Sequence, residues 1–166
     1  TFRLVVAGGA ALRVGGWVDR VTRDVDVLAR RGEVDGEIIS AWPLDENLVA
    51  AVAQVASELR LPKNWLNASV AMVAGPLDEL PKRVWSGSQE IRYGQQLRIE
   101  FIGREGLIDL KVRAALDPTR RHDLADLKAL SPTVNEFENA CGWLASIGLL
   151  DKAAQQRLET LSNELF

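Results

Sequence analysis

One cysteine, one histidine and one methionine are spread through 166 residues, and the first two scarcities remove whole classes of chemistry. A lone Cys141 cannot close an internal disulfide or build a cysteine-rich zinc site, and with His122 as the sole imidazole no histidine metal cluster can form. Any metal held here must therefore have oxygen ligands, which selects hard cations such as magnesium or manganese. No apolar run approaches the roughly 20 residues of a membrane span, so no membrane partner is expected. The opening residues "TFRLVVAGG" lack the basic start and cleavage pattern of a secretory signal, which points to a cytoplasmic protein and makes "NAS" at Asn67 a chance match to a glycosylation pattern. Both common phosphate loops, G-x-G-x-x-G and G-x-x-x-x-G-K-[ST], are also missing.

What is present supports an ordinary folded core. With 47% apolar and 26% charged residues, the chain has the composition of one globular domain spanning 1–166. The net charge of −3 speaks against a protein that coats nucleic acid, yet the charge is unevenly placed. Residues 1–81 carry 8 basic and 11 acidic side chains, 82–128 carry 10 and 7, and 129–166 carry 2 and 5. The middle segment is therefore locally basic, which suits either solvated faces or a phosphate-facing surface.

Along the chain, "FRLVVA" is a continuously apolar, β-branched run ended by Gly8-Gly9, and reads as a buried strand. "AALRV" offers one or two helical turns. From Arg20 the pattern "RVTRDVDVLA" alternates, with Arg20, Thr22, Asp24 and Asp26 on one side; Arg23 interrupts the other, so pairing is expected from about Asp24. "DENLVAAVAQVASELRL" has helical spacing, with Asp45 as cap and Pro62 beyond its end. "LDELPKRVW" is a short helix or turn, and "QEIRYGQQLRIEFIG" forms two strands about a Gly94 turn. Four helical stretches follow, one opened by a Thr133–Glu136 capping box. The fold class is thus α/β (α+β): a small mixed sheet flanked by helices over 1–103, then a helical part over 104–166 that closes a nucleotide cleft.

The glycine pair followed by Asp-x-Asp carries the chemistry. Glycines allow backbone amides to approach a phosphate, and a helix starting there turns its N–H groups toward an anion. Two carboxylates one residue apart on a strand lie on one face, about 6.5 to 7 Å apart along the chain, a spacing from which both can reach metal ions that bridge a triphosphate.

Together, "GGAAL" and "RVTRDVDV" resemble the signature of minimal nucleotidyltransferases of the polymerase-beta-like superfamily, and are most like those of AbiEii-type toxins and their uncharacterised relatives. The later "LPKNWLN" and "LIDLKVRAALDPTRRHDLADLKAL" are similar to the same group, and the likeness covers roughly residues 2–130. The resemblance implies an enzyme that moves a nucleoside monophosphate from a nucleoside triphosphate to an acceptor hydroxyl. That acceptor would be an RNA, the end of a transfer RNA, and the protein would act within a toxin–antitoxin system beside a cognate antitoxin. It implies that Asp24 and Asp26 hold magnesium or manganese, that Gly8 and Gly9 cradle the phosphates, and that Arg20 and Thr22 line the same face. It further implies that Lys111 meets a phosphate, that Asp123 belongs to the last motif, and that Glu100 stands where the broader superfamily has a third carboxylate. Ala10 departs from the pattern, since many members have Gly-Ser there, so backbone amides must serve in place of a hydroxyl. The chain also starts directly on a strand, where relatives often have a helix first.

Plainer readings stand beside these. Asp24 and Asp26 can be a solvated strand face, Lys111 and Asp123 a surface ion pair, and the whole chain an inactive nucleotidyltransferase-like module that docks a partner protein. His122 is expected to be exposed and inert, Cys141 to pack in a helix face, and Trp65 and Trp143 to pack rather than to stack on bases.

Overall fold

The structure, a computed structural model, describes residues 1–34 and 36–166. It is α+β, as the sequence pattern predicts, with a six-stranded mixed sheet and seven α-helices among the described residues. The chain divides into two compact units, Thr1–Leu80 with Ser88–Ile102, and Pro81–Gly87 with Gly103–Phe166.

The first unit holds the sheet. Its strands are β1 (Phe2–Ala7), β2 (Val25–Arg31), β3 (Ile38–Ser40), β4 (Leu66–Asn67), β5 (Gln89–Tyr93) and β6 (Leu97–Phe101). They run in the order β3-β2-β1-β6-β5, with β4 also pairing β2. β1 is central and pairs antiparallel with β2 and parallel with β6. Its Leu4, Val5 and Val6 are fully buried, which is why this strand reads as an unbroken apolar run. The edge hairpin of β5 and β6 turns at Gly94 as expected.

One irregularity governs what the sheet presents. Val5 pairs with Ala29 but Val6 pairs with Val27, so Leu28 is an extra residue bulged out of β2. Beyond the bulge Ala7 lies opposite Asp26, where regular pairing would have put Val27. The bulge thus decides that a carboxylate, and not a valine, faces the end of β1.

Three helices complete this unit: α1 (Gly8–Val14), α2 (Glu46–Leu59) and α3 (Ser69–Ala74). α2 starts at Asp45, whose carboxylate accepts from the Asn47 amide at 3.0 Å, as its sequence predicts. The alternating pattern starts at Arg20, but pairing begins at Val25, next to the Asp24 at which the interruption by Arg23 places it. Residues 20–24 are held by other bonds: Arg13 of α1 donates to the Asp19 and Arg20 carbonyls at 2.6 and 3.2 Å, and Thr22 Oγ1 donates to the Asp24 carbonyl at 2.9 Å.

The second unit is helical, with α4 (Arg104–Ala114), α5 (Arg121–Leu130), α6 (Val134–Ser146) and α7 (Lys152–Leu165). Its core includes Leu107, Ile108, Val112, Leu127, Phe137 and Leu144. The Thr133–Glu136 capping box opens α6. The 3₁₀ turn Lys82–Trp85 packs on α4, and Gly106 is the contact: a Cβ there would stand 2.8 Å from Val84 Cα. Because the obstructing atoms are backbone, Gly106→Ala is expected to lower stability by about 1–3 kcal/mol in urea unfolding. An unchanged midpoint would mean that the turn can shift aside freely.

Candidate functional site

The end of β1 is where the sequence motif comes together. Gly8 has φ +66°, a left-handed conformation that glycine adopts without steric cost, and this turns the chain from β1 into α1. The place where a Cβ would stand on Gly8 is filled by the Asp26 carboxylate, closest through Oδ2. At Gly9 the same position lies 2.8 Å from Thr22 Oγ1 and 3.6 Å from an Arg20 guanidinium nitrogen. Gly8, Gly9, Arg20, Thr22 and Asp26 are therefore neighbours in space, over a stretch of 19 residues of sequence. Asp24 and Asp26 are both half-buried, and the Thr22 hydroxyl bond to the Asp24 carbonyl fixes the backbone that leads into Asp24. Ala10 is buried in α1.

The Asp26 carboxylate and the Thr22 hydroxyl stand at this corner against the glycine backbone, oxygen donors of the kind a hard cation takes. No group of three or more His, Cys, Asp or Glu side chains converges as a metal site among the described residues. Magnesium is commonly held by one or two carboxylates together with substrate phosphates, and Asp26 supplies one at this corner.

Glu100 lies on β6, on the sheet face that also carries Asp26. It pairs across β6 with Val5, and its two carboxylate oxygens accept from the Arg31 guanidinium at 2.7 and 2.6 Å. Arg31 ends β2; with Leu28 bulged out it lies four register positions from Asp26, about 13 Å by strand rise. Burial alone would raise the Glu100 carboxyl, but hydrogen bonds from Arg31 and Ser88 outweigh it and hold the group below its ordinary value. Alternation along β6 put Glu100 on the polar face; nothing local announced that Arg31 would lie across it.

Opposite this polar face, α1 and the sheet leave a groove of about 590 Å³ whose lining includes Ala10, Val25, Ile99 and Phe101, with Arg13 and Thr22 at its polar edge. It is an apolar surface, with none of the carboxylates of the motif in its lining.

In the helical unit Lys111 and Asp123 also meet, inside an ion cluster. Lys111 Nζ lies 2.6 Å from Asp123 Oδ1 and 2.6 Å from Asp126 Oδ2, with Lys111 8%, Asp123 0% and Asp126 2% exposed. Arg120 Nε stands 2.8 Å from Asp123 Oδ2, and His122, mostly exposed, is 3.4 Å from the same atom. The pair is buried, which the surface-pair alternative did not anticipate. Asp126 was not singled out from sequence, although the i, i+3 spacing of Asp123 and Asp126 on α5 already put both on one helix face.

Three further basic side chains of the locally basic segment have partners within this unit. Arg83 is 2.7 Å from each carboxylate oxygen of Asp109, Arg104 pairs with Glu136, and the Arg113 guanidinium lies 5.8 Å from the Trp143 ring centroid. Burial pushes the Asp109 carboxyl up, against the opposing pull of Arg83. Burial likewise pushes the Cys141 thiol up, which suits a packed side chain and not a nucleophile.

Comparison of the chain with protein-family models, with curated proteins and with solved structures finds no match in any of the three. No helix among the described residues is long and apolar enough to cross a membrane.

Two outcomes follow from this geometry. Lys111→Met leaves two buried carboxylates without their ammonium, so stability is expected to fall by about 3–5 kcal/mol in urea unfolding, part of it recovered by adding Asp126→Asn. A midpoint unchanged in Lys111→Met would make the cluster energetically idle. The depressed Glu100 carboxyl adds stability that is fully present above its unfolded value of 4.5 and is lost as pH falls through the folded value. Glu100→Gln is accordingly expected to be less stable than the parent at pH 7, with the gap closing below pH 4.5. A gap independent of pH would show that the charge of Glu100 is not what holds Arg31.

Proposed function

We propose that this chain is a metal-dependent nucleotidyltransferase of the minimal polymerase-beta-like kind. It would transfer a nucleoside monophosphate from a nucleoside triphosphate to a hydroxyl of RNA, the end of a transfer RNA, as the toxin of a toxin–antitoxin pair in the cytoplasm. The observation that carries this reading is the contact of Asp26 with Gly8, with Thr22 and Arg20 gathered at Gly9. A conformation open to glycine, a close backbone approach and a carboxylate in one corner are what a bound triphosphate and its cation require.

In this reading Gly8 and Gly9 let the phosphates approach the backbone, and Arg20 offers a planar fork of donors to their oxygens. Thr22 keeps Asp24 in place through its bond to the Asp24 carbonyl. Asp24 and Asp26 would hold magnesium or manganese, which supplies charge neutralisation for the reacting phosphoryl group and the leaving pyrophosphate. An oxygen of the acceptor forms its bond to the α-phosphorus as the bond from that phosphorus to the β-phosphate oxygen breaks. The acceptor proton passes to the carboxylate pair, and pyrophosphate departs with the electron pair of the broken bond. Lys111 and Asp123 serve through the fold, tying α4 to α5.

A second reading is an inactive module that docks a partner protein. It is favoured by two observations: Lys111 is taken up by Asp123 and Asp126, and Glu100 by Arg31, so two side chains of the motif already have partners inside the chain. The apolar groove beside α1 would then be the docking surface.

Incubation of the purified protein with magnesium, each α-labelled triphosphate and total RNA separates the two. Label is expected to enter RNA, and Asp24→Asn or Asp26→Asn is expected to lower its rate by about a hundredfold or more, an effect of the size seen on removing one group that stabilises transition-state charge. Gly8→Ala, which puts a methyl where Asp26 sits and strains a left-handed residue, is expected to lower the rate while Asp26 remains present. Near-normal transfer by Asp26→Asn would refute the carboxylate assignment. Absence of both transfer and magnesium-dependent triphosphate binding would favour the docking module.

A further inference from the structure

One edge of the sheet is left open. β5 is the last strand of the order and has β6 as its one strand partner among the described residues. Exposed edges are commonly blunted by shortness, proline, lysine or a bulge. The opposite edge, β3, is three residues long. β5 has five, "QEIRY", with no proline or lysine and an unbroken register against β6. Gln89, Glu90, Arg92 and Tyr93 are exposed and Ile91 is half-buried.

The ladder bonds fix which backbone groups face out. Phe2 N–H donates to the Gln96 carbonyl at 2.7 Å and Ile102 N–H to the Val6 carbonyl at 3.0 Å, so the even-numbered residues of this stretch direct their groups at β1. Leu97, Ile99 and Phe101 are then directed at β5, where Tyr93, Ile91 and Gln89 are their partners. Glu90 and Arg92 therefore turn both N–H and C=O outward, away from the sheet.

Side chains along this edge are arranged in rungs. Arg92 lies opposite Arg98 and Glu90 opposite Glu100, so the hairpin carries an arginine rung beside a glutamate rung. Like charges opposite one another destabilise a sheet and opposite charges stabilise it. A second copy brought up antiparallel about a two-fold axis must set outward residues against outward residues, which is met by centring on Glu90, Ile91 or Arg92. Centring on Glu90 sets that residue against its own copy, and centring on Arg92 does the same for the arginine. Centring on Ile91 overlaps the whole strand and sets Glu90 against Arg92 of the second copy, twice, so each arginine rung runs on into a glutamate rung. It also sets Ile91 against its own copy, on the face of the apolar groove to which its partner Ile99 belongs. The Arg92–Glu90 pair within the strand, at 2.9 Å, is kept and joins the cross-copy pairs in a ring of alternating charge.

We infer that β5 is a self-association edge, through which two copies of this chain join antiparallel about Ile91 into one continuous sheet. A pair of five-residue strands is about 17 Å long and makes a contact at the small end of protein interfaces, so the dimer is weak and forms as concentration rises. Neither magnesium nor triphosphate takes part, which keeps this inference independent of the proposed reaction.

The test is sedimentation equilibrium of the full chain from about 10 μM to about 1 mM, for the parent, Glu90→Arg, Arg92→Glu and an equal mixture of the two variants. The parent is expected to dimerise within this range. Each variant sets like charges across the contact and is expected to raise the dissociation constant by about tenfold or more. In the mixture a chain with two arginines meets a chain with two glutamates, and association is expected to return to about the strength of the parent. Hydrogen exchange of the parent at low and high concentration supplies a second readout: the outward Glu90 and Arg92 amides are expected to slow as concentration rises, and the Ile91 amide, bonded to β6, to stay as it is. A parent that remains monomeric throughout would overturn the inference, as would variants that dimerise like the parent, a mixture no tighter than its components, or dimerisation that leaves the Glu90 and Arg92 amides unprotected. Where a reversal impairs folding, judged by melting temperature, Glu90→Gln and Arg92→Gln replace it, with a smaller rise in the dissociation constant expected and no rise again contrary.

Discussion

The activity proposed for this chain depends on one contact, the Asp26 carboxylate lying against the backbone of Gly8. Two features of the fold bring it about. The bulge at Leu28 shifts the pairing of β2 so that Asp26 comes opposite Ala7, and the left-handed Gly8 leaves open the volume that the carboxylate fills. A β-branched or bulky residue at position 8 would be strained by its own φ and obstructed by Asp26 at once. Were Leu28 drawn into the ladder as a regular partner of Val6, Val27 would come opposite Ala7 and Asp26 would turn to the other face. The chemistry of the corner is thus a consequence of register.

Charge is used differently in the two units. In the helical unit the buried Lys111 cluster and the Arg83–Asp109 pair are enclosed. Such pairs cost desolvation when formed and several kcal/mol when one partner is removed, so they fix which helix faces meet more than they add to net stability. On the sheet the ion pairs join strands instead of helices: Arg31 of β2 reaches Glu100 of β6, half-buried, while the Arg92–Glu90 pair stays within β5 and is more exposed.

Much of the fold was legible because the sequence is periodic where the elements are long. The apolar run of β1, the capped amphipathic α2, the hairpin of β5 and β6 and helices α4–α7 each follow from spacing and end signals found in the chain. β3, β4 and α3 were not legible: three, two and six residues are too short for a period to show, and each owes its form to β2 as neighbour. The start of β2 was legible from Arg23, which interrupts the apolar side; ahead of it the Arg20 and Asp24 carbonyls accept from the Arg13 and Thr22 side chains instead of from a strand. In the site, the approach of Gly8 and Gly9 to Asp26, Thr22 and Arg20 was implied by the motif. The binding of Glu100 by Arg31, and of Lys111 by Asp123 and Asp126, depended on residues distant in sequence or one helical turn away.

The central claim, that Gly8 and Asp26 form one corner built for a cation and its phosphate, is open to direct observation. Substoichiometric Mn²⁺ added to the isotopically labelled protein broadens the amide signals nearest the site at which the ion binds. The account predicts that Gly8, Gly9 and Asp26 broaden first, and that Asp26→Asn abolishes this effect with the remaining spectrum unchanged. Early broadening at another carboxylate group, such as Glu105 and Asp109 on α4, with the Gly8 and Asp26 signals intact, would contradict it.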